Sequence, residues 1–407
     1  MSTLSFPWLL LLSLFLVVTI RAANDTTTTK GAAVPPQEQP EHHQLPPTTT
    51  TTSKTTKAAA VALSSTVIIS SSTRSLRDGN PIPSIGLGLS LTANVTYRAV
   101  QWALDAGYRL MDTAAEEDTY GNEEEVGRAI RDYIINIDSN SNNNDKNSAI
   151  ISRDDIFVTT KLWDDAHGFW EALEAFDESY QSLNVGTVDL YLIHSPFGGR
   201  LVETWDAMLY LQSKGYVTSI GVSNFGLRHL QAIESSGRPM PVVNQIEMHP
   251  LVYRQRASLL SYCQQHDIKI QAYGSLMHGY EEWLSEPEIL VQMAAKYQKK
   301  TSQIMLRWAL QHDFLIIPKS ANRTRIVENS LLYDFELSQE DMATLDSWGD
   351  SIPNEEHRNL YKEDWNWNPI DEAPVHVGRM DYWPKYEGVD EIYYADDNED
   401  IGRGEEF

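Results

Sequence analysis

The segment MDTAAEEDTYGNEEE, residues 111–125, ends a short apolar run with the acid Asp112 and places the phenol Tyr120 just before an expected helix start at Asn122. A carboxylate and a tyrosine in this arrangement can take part in proton transfer. A phenol has a pKa of about 10, however, and needs a nearby cation to favour its ionised form. We therefore expect a cation and further polar groups to come from other parts of the chain.

Three later apolar runs also end in polar side chains. IFVTTKLW carries Lys161, VDLYLIHSP carries His194, and VVNQIEMHP carries Gln245 and Glu247. Apolar strands separated by helical segments are typical of a parallel sheet that is covered on both faces. In a parallel barrel the reactive groups lie where the strands end, so these side chains are expected to meet.

Strands and helices alternate from Ile85 to Leu332, which predicts eight of each and an α/β fold, the (β/α)8 TIM barrel. Ahead of the barrel, Asp78-Gly79 lies between two short apolar stretches and predicts an N-terminal β-hairpin. DSNSNNNDKNS, residues 138–148, is expected to be a polar insertion on the side away from the chemistry.

Composition divides the 407 residues into four parts. Residues 1–23 contain an apolar stretch, Phe6 to Ile20, and predict a signal peptide or an uncleaved anchor. Residues 24–73 are rich in Thr, Pro and Ala, which predicts a disordered linker. Residues 74–349 form the expected barrel. Residues 350–407 are an acidic aromatic tail, expected to be partly disordered with one patch docked.

The formal net charge of -25 argues against a nucleic acid or an anionic membrane surface as a partner that is attracted through charge alone. The chain has one cysteine, Cys263, within a helix predicted from Gln255 to His266. An intrachain disulfide and a cysteine-based metal site are thereby excluded, and no metal site is predicted. We interpret Cys263 as a thiol packed within its helix.

The chain resembles the aldo-keto reductases over about Ser75 to Trp348. The motifs that carry this resemblance follow one another in the family's order: DTA…YGNEEEVG, VTTKLW, DLYLIHSP, GVSNF, NQIEMHP and IPKSANRTRIVENS. The resemblance implies a barrel that reduces carbonyl groups with NADPH. It also implies a dinucleotide site without a glycine-rich GxGxxG loop, and this chain has no such loop.

The resemblance further implies a catalytic tetrad of Asp112, Tyr120, Lys161 and His194. Tyr120 is the expected general acid, and the Lys161 ammonium would favour its ionised form. Asp112 would hold that ammonium in place and keep it protonated. His194 would form a hydrogen bond that orients the substrate oxygen.

One departure from the family concerns the spacing before Tyr120. Two residues usually separate DTA from YG, whereas this chain has five, AEEDT. The extra residues either bulge outward and leave the phenol in place or displace it by several ångströms, and a misplacement of about 1 Å already costs about 100-fold in rate. The well-matched helix that follows favours the bulge, in which Glu116, Glu117 and Asp118 would line the rim and disfavour anionic substrates.

The cofactor contacts implied by the resemblance fall into two groups. Around the nicotinamide, its amide would be bound by Ser223, Asn224 and Gln245, and its ring would stack on Tyr273. Around the phosphates and the adenosine, the expected contacts are Ser275, Leu276, Lys319, Ser320, Arg325, Glu328 and Asn329. An ammonium and a guanidinium suit the 2'-phosphate, so NADPH is expected rather than NADH.

The substrate pocket departs from the family as well. Aromatic residues are common in the family where this chain has Ser90 and Ser195, the latter directly after the catalytic histidine. Trp163, Phe197 and Leu276 remain as expected walls. We therefore predict a wider and more polar mouth.

The amino-terminal segment predicts the secretory pathway, meaning the ER lumen or the exterior. Alternatives are an organelle reached through the ER and a membrane-anchored form, because no Lys or Arg precedes the apolar stretch. Sequons occur at Asn24, Asn94 and Asn322, and the last lies in the run expected to hold a phosphate. Either Asn322 is skipped, or the barrel does not stay in a glycosylating compartment.

These observations predict a monomeric NADPH-dependent enzyme that reduces the carbonyl groups of aldehydes, ketones or sugars to alcohols. Its expected partner is a small-molecule carbonyl substrate. One alternative is a regulatory barrel that binds NADPH but has lost efficient turnover through the AEEDT insertion. A binding protein that merely retains the fold is less compatible with the intact Lys161 and His194.

Overall fold

The computed structural model describes residues 72–115, 120–140, 151–352 and 369–379, with side chains described only to residue 135 in the second range. The predicted signal peptide or anchor, most of the predicted linker and most of the acidic tail lie outside these residues. The predicted polar insertion also lies largely outside them. Its first three residues, from Asp138, continue a helix that ends at Asn140.

Eight parallel strands form one sheet in chain order, and a short antiparallel hairpin precedes them. The strands are Thr73–Ser75 (β1), Pro81–Pro83 (β2), Leu87–Gly88 (β3), Leu110–Asp112 (β4), Phe157–Leu162 (β5), Val188–Ile193 (β6), Val217–Ser223 (β7), Val243–Glu247 (β8), Lys269–Tyr273 (β9) and Leu315–Ile316 (β10). Parallel bridges from Ile85 to Ile316 and from Gly88 to Lys319 join the first and last parallel strands. The sheet is therefore closed, and the predicted barrel is confirmed.

Helices connect the strands around the outside of the barrel. Their bounds in the described chain are Ala93–Asp105 (α1), Glu123–Asn140 (α2), Phe169–Leu183 (α3), Leu201–Ser213 (α4), Leu227–Ser235 (α5), Pro250–Tyr253 (α6), Ala257–Gln265 (α7), Glu281–Leu284 (α8), Glu288–Tyr297 (α9), Thr301–Gln311 (α10), Arg323–Ser330 (α11), Gln339–Asp346 (α12) and Pro369–Glu372 (α13). Short 3-10 turns occupy Arg153–Asp155, Asp164–Ala166, Arg254–Arg256, Met277–Gly279 and Trp348–Ser351. The single helix predicted from Gln255 to His266 is thus α7 preceded by a 3-10 turn.

The core has two parts, because side chains alternate between the two faces of each strand. The larger part lies between the strands and the surrounding helices. The smaller part fills the barrel interior and includes Leu110, Phe157 and Leu190, together with Leu76 and Ile82 from the hairpin region. The hairpin region therefore packs onto the end of the barrel where the strands begin. This leaves the opposite end, where the strands finish, for the polar groups.

The described part of the tail packs beside the amino-terminal ends of α4 and α5. The backbone N–H groups of Leu201 and Val202 donate to the carbonyl oxygens of His376 and Val377 at 2.7 and 3.0 Å. In α5, His229 Nε2 lies 2.9 Å from the Ala373 oxygen. The two backbone hydrogen bonds satisfy N–H groups at the start of α4 that have no partner within their own helix.

Cys263 is fully buried in α7, and burial raises the pKa of its thiol to about 12. Such a thiol is protonated at neutral pH and inert as a nucleophile. Among the described residues, no helix has the length and apolarity needed to cross a membrane. The same residues contain no group of three His, Cys, Asp or Glu side chains that could hold a metal ion.

Candidate active site

Three neighbouring strands bring the predicted polar residues to one edge of the barrel. Asp112 is the last residue of β4, Lys161 is next to last in β5, and His194 directly follows β6. These strands pair with one another in chain order. Residues separated by about 80 positions in the sequence therefore converge, as expected for the carboxyl ends of parallel barrel strands.

Lys161 and Asp112 form a buried ion pair. Lys161 Nζ lies 2.6 Å from Asp112 Oδ1 and also donates to the backbone oxygen of Thr113 at 2.7 Å. The side chains are 0% and 2% exposed. Burial by itself lowers the pKa of Lys161, but the oxygens of Asp112 and Tyr120 around the ammonium outweigh it and leave the pKa above its ordinary value. The lysine is therefore a permanent cation within this pair.

Asp112 is held from a second direction. Burial raises the pKa of the Asp112 carboxyl, while the hydrogen bonds from Lys161 and Gln245 act against that rise. The amide nitrogen of Gln245 donates to Asp112 Oδ2 and to Gln271 Oε1, each at 2.7 Å. The position of Asp112, and hence of the ammonium, is thus tied to the residues that were predicted to surround the nicotinamide.

Tyr120 lies beside Lys161 despite the longer segment that precedes it. The lysine Nζ is 5.1 Å from the centroid of the phenol ring, and the Lys161 ammonium donates a hydrogen bond to the tyrosine side chain. The Tyr120 and His194 rings meet edge to face, with centroids 6.0 Å apart. The structure therefore brings all four predicted catalytic residues together. Residues 116–119 of the insertion lie outside the described residues.

Asn122 explains how the phenol keeps its place, and sequence reasoning identified it only as a helix start. Its amide nitrogen donates to the backbone oxygens of Leu89 and Leu91 at 2.7 and 2.6 Å. Its amide oxygen accepts from the Thr113 hydroxyl at 2.6 Å. Before the insertion, the Ala115 N–H donates to the Lys161 oxygen at 3.2 Å. Both described ends of the segment are thus anchored, and Tyr120 lies beside Lys161.

His194 is a neutral imidazole at physiological pH. Burial, followed by the charge of Lys161, holds its pKa well below the ordinary histidine value. The Trp163 ring packs against it edge to face, with centroids 4.7 Å apart. Asn224 Nδ2 donates to the backbone oxygen of His194 at 2.9 Å. A neutral imidazole that is held on two sides can orient an oxygen without adding charge to the site.

The residues predicted around the nicotinamide form one hydrogen-bonded network. Ser223 Oγ donates to the Gln245 backbone oxygen at 2.9 Å, and the Tyr273 hydroxyl donates to Asn224 Oδ1 at 2.8 Å. Asn224 adopts the left-handed region with φ 61°. That conformation is uncommon outside glycine, and asparagine tolerates it best. Because Tyr273 stays partly exposed while its hydroxyl is held, its ring can serve as a flat stacking surface.

The residues predicted around the phosphates lie at the start of α11 and in the loop after β9. Lys319 and Arg325 are exposed and form no ion pair with any residue that the structure describes, whereas Ser320 and Asn329 are buried. Glu328 is held by Lys300 at 2.6 Å. Ser275 is buried and Leu276 half-buried. Two exposed cations beside a helix amino terminus suit a phosphate, so these residues fit a dinucleotide with a 2'-phosphate.

The residues predicted to line the substrate pocket differ in accessibility. Trp163, Phe197 and Ser90 are half-buried. Ser195 is fully buried, and its hydroxyl lies 2.6 Å from Asp164 Oδ1 and 2.7 Å from Oδ2. This serine therefore adds no free hydroxyl to the mouth, contrary to the expectation of a more polar mouth at that position. The reason is a carboxylate on the neighbouring loop that no local sequence signal connects to Ser195.

Beside Trp163 opens a cleft of about 790 Å³ between the start of α2 and α3. Ala114, Ala115 and Gly121 line the end near the tetrad. The remaining wall is acidic and includes Glu124, Glu125, Glu171, Glu174 and Glu178. A surface of one sign focuses its field in a cleft, so the potential in this cleft, beside Trp163, is negative.

A closed (β/α)8 barrel with a buried lysine–aspartate pair, a phenol and a neutral imidazole at its strand ends defines a class of oxidoreductases. Residues 85–350 match the family model described as Aldo/keto reductase family. The chain belongs to the aldo/keto reductase family, and the resemblance seen in the motifs is confirmed.

Relatives and solved structures agree with this assignment. Glyoxal reductase of Bacillus subtilis (strain 168) is 37% identical over 277 residues, covering 68% of this chain and 92% of that protein. Methylglyoxal reductase DkgA of Escherichia coli (strain K12) is 36% identical over 273 residues, covering 66% and 90%. The Bombyx mori aldo-keto reductase AKR2E4, solved in complex with NADP, has a TM-score of 0.60 and 32% identity over 73% of this chain and 98% of that one.

Proposed function

We propose that this protein reduces the carbonyl group of small aldehydes, ketones or sugars to an alcohol, with NADPH as the hydride donor and Tyr120 as the general acid. The observation that carries the proposal is the position of the buried Lys161 ammonium, which is paired with Asp112 at 2.6 Å and lies 5.1 Å from the centroid of the Tyr120 ring. This cation stands at the point where a phenol would have to release its proton.

The residues of the chain divide the chemistry among them. NADPH, when bound, supplies the hydride that reaches the carbonyl carbon. Tyr120 donates its phenolic proton to the carbonyl oxygen as negative charge develops there, and the Lys161 ammonium stabilises the resulting phenolate. Asp112 keeps the ammonium charged and fixed. His194, which is neutral, positions the oxygen through its ring N–H.

The proposed binding of NADPH rests on the chemistry of the donor set. Lys319 and Arg325 are the cations for the 2'-phosphate, and Ser223, Asn224 and Gln245 surround the nicotinamide amide. Tyr273 fixes which face of the ring is offered, because a stacked ring exposes only its other face. The Bombyx mori relative solved with NADP supports this choice of cofactor.

The substrate class is narrowed by the relatives and by charge. Two relatives at 37% and 36% identity are a glyoxal and a methylglyoxal reductase, which favours small, reactive carbonyl compounds. The acidic wall of the cleft favours neutral over anionic members of that class. We therefore propose neutral aldehydes and dicarbonyl compounds as substrates.

The test is oxidation of NADPH, followed by its absorbance, with methylglyoxal and with a generic aldehyde, alongside the variant Tyr120→Phe. We expect turnover in the native protein and a loss of about 100-fold or more in kcat in the variant, with NADPH affinity unchanged. Tight NADPH binding without turnover by the native protein would favour the regulatory barrel instead. Turnover that survives Tyr120→Phe would overturn the assignment of the acid.

A further inference from the structure

The pairing of β5 with β6 continues beyond their backbone through two side chains. The last backbone pair joins Leu162 to Ile193, and the His194 N–H donates to the Leu162 oxygen at 2.9 Å. Two residues beyond Leu162, the Asp164 carboxylate accepts a hydrogen bond from the Ser195 hydroxyl, which lies 2.6 Å from Oδ1 and 2.7 Å from Oδ2. A side-chain hydrogen bond thus extends the ladder where the strands diverge.

Trp163 and His194 lie between the Leu162–Ile193 backbone pair and the Asp164–Ser195 hydrogen bond. Their rings meet at a centroid distance of 4.7 Å and an interplanar angle of 71°. A charge-assisted O–H···O⁻ bond is short and directional. Leu162 pairs with Ile193, and Asp164 binds Ser195. Both chain neighbours of His194 are therefore held, which constrains the orientation of its ring.

The Ser195 hydroxyl also contacts Phe197, a predicted wall of the substrate pocket. Ser195 Oγ accepts a hydrogen bond from the Phe197 N–H at 3.1 Å, across the intervening Pro196, which has no N–H. The hydroxyl has one hydrogen, which it gives to Asp164, and its lone pair serves Phe197. Asp164 therefore holds, through one serine, both the turn after His194 and the position of Phe197.

Asp164 is a titratable group in a partly buried setting. Burial raises its pKa to about 6; the bond from Ser195 opposes this rise and the charge of Asp165 adds to it. A further titratable group, His167, faces it: His167 Nε2 lies 3.9 Å from Asp164 Oδ1. His167 Nδ1 donates to the Gly199 oxygen at 2.6 Å, and Arg200 donates to the His167 backbone oxygen at 2.9 Å.

We propose that Asp164 is a positioning residue of the reduction: through Ser195 it sets the orientation of the His194 imidazole and the place of Phe197. This role rests on the proposed function of His194 and deepens it. Asp164 itself touches none of the reacting atoms. It acts by holding the group that orients the carbonyl oxygen.

The kinetic test uses Asp164→Asn, which keeps the shape of the side chain but removes its charge, and Ser195→Ala. Each is expected to lower kcat by about 10-fold, because modest misorientation of a catalytic group is costly. The double variant is expected to fall no further than Ser195→Ala, since Asp164→Asn weakens the same hydrogen bond that Ser195→Ala removes. NADPH affinity, measured by fluorescence titration, should stay within about two-fold, because no residue of the predicted cofactor site contacts Asp164.

Asp165→Asn is the matched control, an equal change of charge on the adjacent exposed residue, and should leave kcat unchanged.

A pH readout separates positioning from a purely structural role. Asp164 is ionised above a pH of about 6 and neutral below it. The ratio of native to Asp164→Asn kcat should therefore be largest above that pH and fall toward one below it, because both side chains are then uncharged. A ratio that does not change with pH would overturn the proposal.

Crystal structures of Asp164→Asn and Ser195→Ala provide a measurement that does not depend on turnover. We expect the Trp163–His194 centroid distance to depart from 4.7 Å and Phe197 to move. Unchanged ring positions would overturn the positioning role even if the native protein proved inactive. Native turnover with unchanged Asp164→Asn kinetics would overturn it while leaving the proposed reductase intact. Absence of native turnover with altered ring positions would overturn only the proposed reaction.

Discussion

The Lys161 ammonium lies 2.6 Å from the Asp112 carboxylate, and neither side chain is more than 2% exposed to solvent. A pair of this kind is not a gain in stability over an apolar pair, because both charges lose their hydration. Its value lies in holding a cation permanently next to Tyr120, where the charge bears on the phenol. The cost appears when one partner is removed.

Removal of the anion alone should destabilise the protein strongly. Asp112→Asn leaves the Lys161 ammonium buried without its counter-charge, and the expected loss is about 3–5 kcal/mol in the free energy of unfolding. The double variant Asp112→Asn, Lys161→Met should be more stable than Asp112→Asn alone, since no buried charge remains. Urea denaturation of the native protein and the two variants measures this. A double variant as unstable as the single one would contradict the assigned ion pair.

The buried His194 should make stability fall at mildly acidic pH. Its folded pKa lies well below its value of about 6.5 in an unfolded chain, because of burial and the charge of Lys161. Below about pH 6.5 the unfolded chain binds a proton that the folded one refuses, so stability present above that pH is lost as the pH falls, by up to about 1.4 kcal/mol per unit. His194→Asn should show a shallower decline. An identical slope would mean that the imidazole is protonated in the folded state.

Lys319 and Arg325 should discriminate between the two nicotinamide dinucleotides. Both cations are exposed and form no ion pair with described residues. Lys319→Ala and Arg325→Ala are expected to raise the Kd for NADPH by about 10-fold each, with little effect on NADH, since only NADPH carries the 2'-phosphate. Fluorescence titration gives both constants.

Arg323 is the matched control for these cations. It is also exposed and lies on α11 with Arg325, but its guanidinium is 3.9 Å from the carboxylate of Asp105. Arg323→Ala should change neither Kd beyond about two-fold. An equal loss for all three variants would indicate general charge attraction instead of a phosphate site.

Loss of the Asn122 anchor should release Tyr120. Asn122→Ala removes one donor from each of the backbone oxygens of Leu89 and Leu91 and takes the acceptor from the buried Thr113 hydroxyl. The expected cost is about 1–3 kcal/mol in unfolding free energy. Since Tyr120 is two residues away, kcat should fall more than NADPH affinity. Asn94→Ala, at an exposed site on α1, serves as the control and should change neither. Native-like kcat in Asn122→Ala would show that other contacts hold the phenol.

The acidic cleft should disfavour anionic substrates. Butanal and 4-oxobutanoate are aldehydes of equal chain length that differ by one carboxylate, and kcat/KM is expected to be about 10-fold lower for the anion at low salt. The difference should shrink as salt approaches about 0.5 M, because the charges are then screened. A ratio that is independent of salt would place the cause in the shape of the pocket.

Local pattern accounts for the fold to a large extent. The helices Phe169–Leu183 and Leu227–Ser235 and the strand Val188–Ile193 have the bounds that periodicity predicts. Apolar runs of strand length leave few alternatives to a buried parallel sheet. The convergence of Asp112, Lys161 and His194 followed from the same reasoning, since parallel strands all finish at one end of a barrel.

Two predicted helix boundaries differ from those in the structure. Helix α2 continues to Asn140, although the polar residues from Asp138 onward predict an insertion. The helix predicted from Gln255 to His266 begins instead with a 3-10 turn, Arg254–Arg256, before α7. Both differences lie at helix ends, where boundaries vary by one or two residues.

The sequence by itself determined which chemical groups this protein carries, their order and the end of the barrel at which they meet. Only the tertiary structure decided whether Tyr120 reaches Lys161 across a longer segment, and that Asn122 anchors it. It also decided that Ser195 binds Asp164 instead of opening the mouth. The reason is physical: strand period and helix period are local properties, whereas burial and hydrogen bonding depend on residues that come near only when the barrel closes.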